Sequence, residues 1–103
     1  MIPGVWLHGT GACGIRWSDR IAGDWPDLPG FGRAPRARAA RVEAYAEALI
    51  PALPERMVLG GHSLGGMVAM QIAATIPERV AGLVLVDAPL RLPGWIPRRL
   101  GHR

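Results

Sequence analysis

The sequence predicts an α/β domain of three layers, α/β/α, around a short, mostly parallel sheet of about three to four strands. Short apolar runs alternate with longer segments of helical period. Each early run is closed by a glycine-rich turn, as strands feeding crossovers would be. A later run, Leu83-Val84-Leu85-Val86, is apolar throughout, as a strand covered on both faces would be. At 103 residues the chain has room for one domain, not two.

Taken in order, Val5-Trp6-Leu7 is the first strand, stopping at His8-Gly9-Thr10-Gly11. Residues 15–22 have the composition of a short helix, and residues 23–32 are dense in Gly and Pro, hence mainly loop. Over residues 37–53, Val42, Tyr45, Leu49 and Leu53 recur at helical spacing, with Arg38, Arg41, Glu43 and Glu47 largely off that stripe. An amphipathic helix is expected there, with Pro51 near its end. Met57-Val58-Leu59-Gly60 is a buried strand, and residues 64–76 are helical in pattern up to Pro77. Residues 90–103 carry two prolines, two glycines and four arginines without a period. The expected division is therefore 1–89 as the folded part and 90–103 as an irregular arginine-rich tail or the start of a covering segment.

Composition narrows the function. Half of the residues are apolar and mean hydropathy is +0.17, so the chain is not of the disordered class. No apolar stretch approaches the ~20 residues that span a bilayer, and the N-terminus lacks the basic and apolar regions of a secretory signal. No membrane association and a cytoplasmic location are the expectation. Lone Cys13 forms no intramolecular disulfide and is read as a small loop residue. Twelve arginines and no lysine against eight carboxylates give a net charge of +4. The arginines are scattered and not interleaved with aromatics, which argues against nucleic acid as a partner. Three dispersed histidines and one cysteine offer no metal-ligand spacing, and no cofactor is expected.

The strongest chemical signal is Gly61-His62-Ser63-Leu64-Gly65, a G-x-S-x-G between a strand and a helix. A serine on so tight a turn needs glycine on both sides, because a side chain at Gly61 or Gly65 would collide with neighbouring backbone. The turn lifts the Ser63 hydroxyl clear of the sheet and sets it at a helix N-terminus, where free N–H groups favour developing negative charge.

With that motif, His8-Gly9-Thr10-Gly11 after the first strand and Asp27-Leu28-Pro29-Gly30-Phe31-Gly32-Arg33 further on, the chain resembles the α/β-hydrolase family. The resemblance runs from Val5 to Pro89, through Leu85-Val86-Asp87-Ala88-Pro89. It implies a partial α/β-hydrolase fold, the N-terminal half only. It also implies Ser63 as nucleophile, the backbone N–H groups of Thr10 and Leu64 as oxyanion hole, and Gly61 and Gly65 as the elbow glycines. A serine nucleophile implies acyl transfer on a small-molecule ester, thioester, lactone or amide.

In that family the acid and then the histidine follow the serine, late in the complete domain. Neither segment is present in these 103 residues, and Gly23-Asp24-Trp25-Pro26 is a poor version of the strand expected before Asp27. Asp87 ends its strand on the ligand-binding edge of such sheets and is a candidate acid, or a carboxylate tying down the following loop. His62 is expected to point away from Ser63, His8 to brace the oxyanion loop, and His102 is the one histidine left as a candidate base.

Two other readings stay open. A half-domain without activity of its own would need a complementary C-terminal half or would self-associate through an uncovered strand edge. Gly9-Thr10-Gly11-Ala12-Cys13-Gly14 is also a literal G-x-G-x-x-G, the pattern of a dinucleotide-binding module, with Asp27 at the spacing of its acidic residue.

Overall fold

A computed structural model describes residues 2–9, 22–30 and 34–88. Within them, strands β1 (Gly4–Leu7), β2 (Met57–His62) and β3 (Val80–Val86) form one parallel sheet in the order β1-β2-β3. Helix α1 (Val42–Leu49) precedes β2 and helix α2 (Leu64–Thr75) joins β2 to β3. Right-handed crossovers that step in one direction put their helices on the same face of the sheet. Accordingly α1 and α2 pack against each other and share one core with Val5, Leu7, Met57 and Leu59. This is the expected partial α/β-hydrolase fold, of which the described residues supply the sheet and one helical layer. The readings of residues 15–21 as helix and of 90–103 as tail lie outside the described residues, as do Thr10, Cys13 and His102.

The helix expected over 37–53 is shorter. Arg41 is extended, at φ −138° and ψ 150°, and α1 begins only after it. Alanines 37, 39 and 40 have high helix propensity, but tertiary bonds hold their segment out: the Gly30 N–H donates to the Pro35 carbonyl at 3.0 Å, and Arg38 Nε to Glu47 Oε1 at 2.9 Å. That guanidinium holds the Glu47 carboxyl below the usual carboxylate range through its hydrogen bond and its charge. At the other end Pro51 lacks an N–H, and the chain tightens into a 3-10 turn over Ile50–Ala52.

Helix α2 is apolar nearly all round, as a helix wedged between a sheet and another helix must be. It stops at Thr75, before Pro77. Arg79 then donates to the carbonyls of Leu53 at 2.7 Å and Pro54 at 2.8 Å, tying the exit of α2 to the entry of β2.

Two expectations about strands change. β3 was expected to be covered on both faces, yet Leu83, Val84 and Val86 are 41%, 45% and 51% exposed. β3 lies at the edge of the described sheet, and its apolar pattern anticipates neighbours that these residues do not supply. The weak strand at 23–26 is reduced to one parallel bridge from Asp24 to Val5. There the Trp6 N–H donates to Asp24 O and the Asp24 N–H to Gly4 O, each at 2.8 Å. On the face opposite the helices, Trp6 lies over Gly60, Trp25 packs at 6.3 Å from it, and an apolar cavity of about 340 Å³ runs from these rings to His62 and Val86. None of the described helices is long and apolar enough to cross a membrane.

Candidate active site

The G-x-S-x-G residues sit where β2 ends and α2 begins, between the ends of β1 and β3. Ser63 occupies φ 54°, ψ −117°, a region a non-glycine residue enters at a cost of about 1–3 kcal/mol. Two backbone hydrogen bonds hold the conformation. The Ser63 N–H donates to Val86 O at 3.0 Å, and the Met67 N–H donates to Ser63 O at 3.1 Å. A Cβ on Gly61 would run into the carbonyl of Gly65, and one on Gly65 into the carbonyls of Leu7 and His8. The two glycines therefore let α2 start directly against the elbow and the end of β1. Leu64 is the first residue of α2, so its N–H has no acceptor within the helix and lies beside the serine.

His8 is 1% exposed and both ring nitrogens are engaged. Its Nδ1 donates to Gly9 O at 2.9 Å, and its Nε2 accepts the Leu28 N–H at 2.8 Å. Only the neutral ring with its proton on Nδ1 serves both bonds. His8 thus links the turn after β1 to the Asp27-Leu28-Pro29-Gly30 turn. Replacing His8 by alanine would orphan the buried Leu28 N–H and open a void among buried groups. An expected loss of about 2–4 kcal/mol should appear as a lower urea midpoint.

His62, one residue before the serine, projects to the opposite face, where its Nε2 lies 4.0 Å from Asp87 Oδ2. The carboxylate of Asp87 is largely exposed, and its backbone, at φ 50°, leaves the sheet in the left-handed region. Gly66 and Gly9 complete the setting, and neither was singled out from the sequence as part of the elbow. A Cβ on Gly66 would collide with the Ala88 methyl, and one on Gly9 would lie 2.8 Å from His62 Nδ1 and 3.3 Å from Ser63 Cβ. The Gly65-Gly66 pair did carry a signal: each glycine costs a helix about 1 kcal/mol relative to alanine, so two at a helix start mark close backbone approach. Among the described residues no three His, Cys, Asp or Glu side chains gather as metal ligands would.

A model of the alpha/beta hydrolase family matches residues 5–103. The chain belongs to the alpha/beta hydrolase family. It is 37% identical over 94 residues to the biotin biosynthesis bifunctional protein BioHC of Cellvibrio japonicus, covering 84% of this chain and 19% of that protein. It is 49% identical over 61 residues to the pimeloyl-acyl-carrier-protein methyl ester esterase of Aromatoleum aromaticum, covering 59% of this chain and 24% of that one. Among solved structures, a thermophilic esterase from Thermogutta terrifontis superposes with a TM-score of 0.74 at 30% identity, over 92% of this chain and 40% of the esterase. This α/β-hydrolase chain therefore spans well under half the length of these relatives, and its homologues are hydrolases of the same fold.

Proposed function

We propose that this chain carries the nucleophilic half of a serine hydrolase acting on carboxylic esters or related acyl compounds through an acyl-enzyme. The reading rests above all on Ser63, held at positive φ between β2 and α2 with the Leu64 N–H beside it. Two of the relatives named above, both esterases, support the substrate class. In this reading Ser63 Oγ attacks the carbonyl carbon as its proton passes to a base. The oxyanion takes hydrogen bonds from the N–H groups of Leu64 and Thr10, and the intermediate collapses with loss of the alkoxide, which receives that proton. Water then cleaves the acyl-serine by the same steps in reverse order of roles. The family match gives no support to the dinucleotide-binding reading of residues 9–14.

The base comes from outside the described residues, because His8 is committed to structural bonds and His62 faces Asp87. In this fold the acid and histidine follow the serine in chain order, so they are sought after β3, in His102 or in a complementary C-terminal half. The exposed apolar edge at β3 is the natural seat for that half, and without it for self-association. Turnover of a short-chain p-nitrophenyl ester tests this with the chain alone and with the C-terminal fragment of a complete hydrolase of the family. Alone, the chain is expected to show only the feeble catalysis left when a triad lacks a member, and the fragment to raise it. Turnover by the chain alone at the ordinary enzymatic rate of ~1–10³ s⁻¹ would overturn the need for a second half.

A further inference from the structure

We infer that His62 is a positioning residue: its imidazole is a strut between Gly9 and Asp87 that fixes the backbone carrying Ser63. The inference rests on the reading of Ser63 as nucleophile and adds how that serine is held.

Ser63 and Asp87 are the two non-glycine residues at positive φ among those described, at 54° and 50°. They end neighbouring strands at one level, since His62 pairs with Val86 in the β2–β3 register and the Ser63 N–H donates to Val86 O. Between these two left-handed turns stands the His62 ring. Its Nε2 faces Asp87 Oδ2 at 4.0 Å, and its Nδ1 lies so close to Gly9 that a Cβ there would come within 2.8 Å. Beyond Asp87 the chain returns to the elbow, with the Ala88 methyl against Gly66 in the first turn of α2. The end of β1, His62, Asp87, Ala88 and Gly66 thus lie in sequence around Ser63, the His62–Asp87 step being a 4.0 Å approach of opposite polarity and not a hydrogen bond. A left-handed serine that costs energy must be over-determined by its surroundings, and this arrangement does so from the side away from the core.

Both partners are solvent-exposed, 53% for His62 and 87% for Asp87, so the pair adds little to global stability. Its effect lies in geometry, and that separates it from an ordinary structural contact. The test uses the whole chain, complemented by the C-terminal fragment of a complete hydrolase, and an alkyl fluorophosphonate; phosphorus bonds to the serine oxygen, fluoride leaves, and the serine proton passes through the base to solvent.

His62→Ala and Asp87→Ala are each expected to slow the labelling of Ser63 by about fivefold to tenfold, with the double variant no slower than either single one. The urea midpoint should stay unchanged in all three. His62→Gln, whose amide nitrogen reaches the position of the imidazole Nε2, should recover most of the rate. Amide hydrogen exchange at Ser63 reads the strut without any reaction and should accelerate equally in His62→Ala and Asp87→Ala. If the chain resists the probe even with the C-terminal fragment of a complete hydrolase present, while its Ser63 amide still responds to both substitutions, the strut stands and the nucleophile reading falls. Exchange indifferent to both substitutions, or additive effects in the double variant, would overturn the strut. So would slowed labelling in Asp87→Ala alone, which would make Asp87 an acid acting without His62.

Discussion

Replacing Ser63 by alanine is expected to abolish covalent capture by a fluorophosphonate and to lower ester turnover of the complemented chain by about 10³-fold or more. The substitution removes one oxygen at a half-buried position, so the fold should survive. Comparing progress curves for the two proteins at equal folded fraction, established by far-UV circular dichroism, isolates chemistry from stability. Equal turnover would mean that the observed hydrolysis arises elsewhere on the chain.

The largest effect on stability is expected at Gly65. Helix propensity alone says that alanine at this position of α2 should stabilise by about 1 kcal/mol. Packing says the reverse, because the added Cβ would sit in the carbonyls of Leu7 and His8 at the end of β1. Backbone does not yield as a flexible side chain does, so Gly65→Ala should destabilise by about 2–4 kcal/mol and Gly65→Val by more. Gly82→Ala is the matched control, since its Cβ would meet nothing nearer than Val58 Cγ1 at 3.9 Å. Urea unfolding of the three variants decides between the two arguments by sign. A stabilised Gly65→Ala would show that α2 does not abut β1 as described.

The elbow was legible in the sequence because its motif is local. Gly61 is dictated by Gly65 four residues on, while Gly65 meets the end of β1 far away in sequence; the G-x-S-x-G pattern between a strand and a helix nevertheless marks both. The parallel sheet was legible for a similar reason: apolar runs separated by helical periods admit few other arrangements. Helix α1 is shorter than its pattern predicts: alanines 37, 39 and 40 favour helix, but the segment is engaged outside it, by the Gly30–Pro35 bond before it and by the Arg38–Glu47 bond beside α1. The burial of β3 was misjudged because apolar composition records the neighbours a strand is built for, not those present. Pairing of His62 with Asp87 was illegible, since it depends on two neighbouring strands ending in register and turning off at the same level. The partner of His8 was not legible: the Leu28 N–H is twenty residues away, in a turn whose sequence says only that it bends.

The central claim is that Ser63 is the reactive nucleophile of this α/β-hydrolase chain, and peptide mapping of a fluorophosphonate adduct tests it most directly. The chain, complemented by the C-terminal fragment of a complete hydrolase, is incubated with the probe and digested, and the modified peptide is sequenced by tandem mass spectrometry, with heat-unfolded chain as the control. A single adduct on Ser63, formed by the folded, complemented chain and not by the unfolded one, is expected. An adduct on another hydroxyl, such as Thr75 or Tyr45, or equal labelling of folded and unfolded chain, would contradict it.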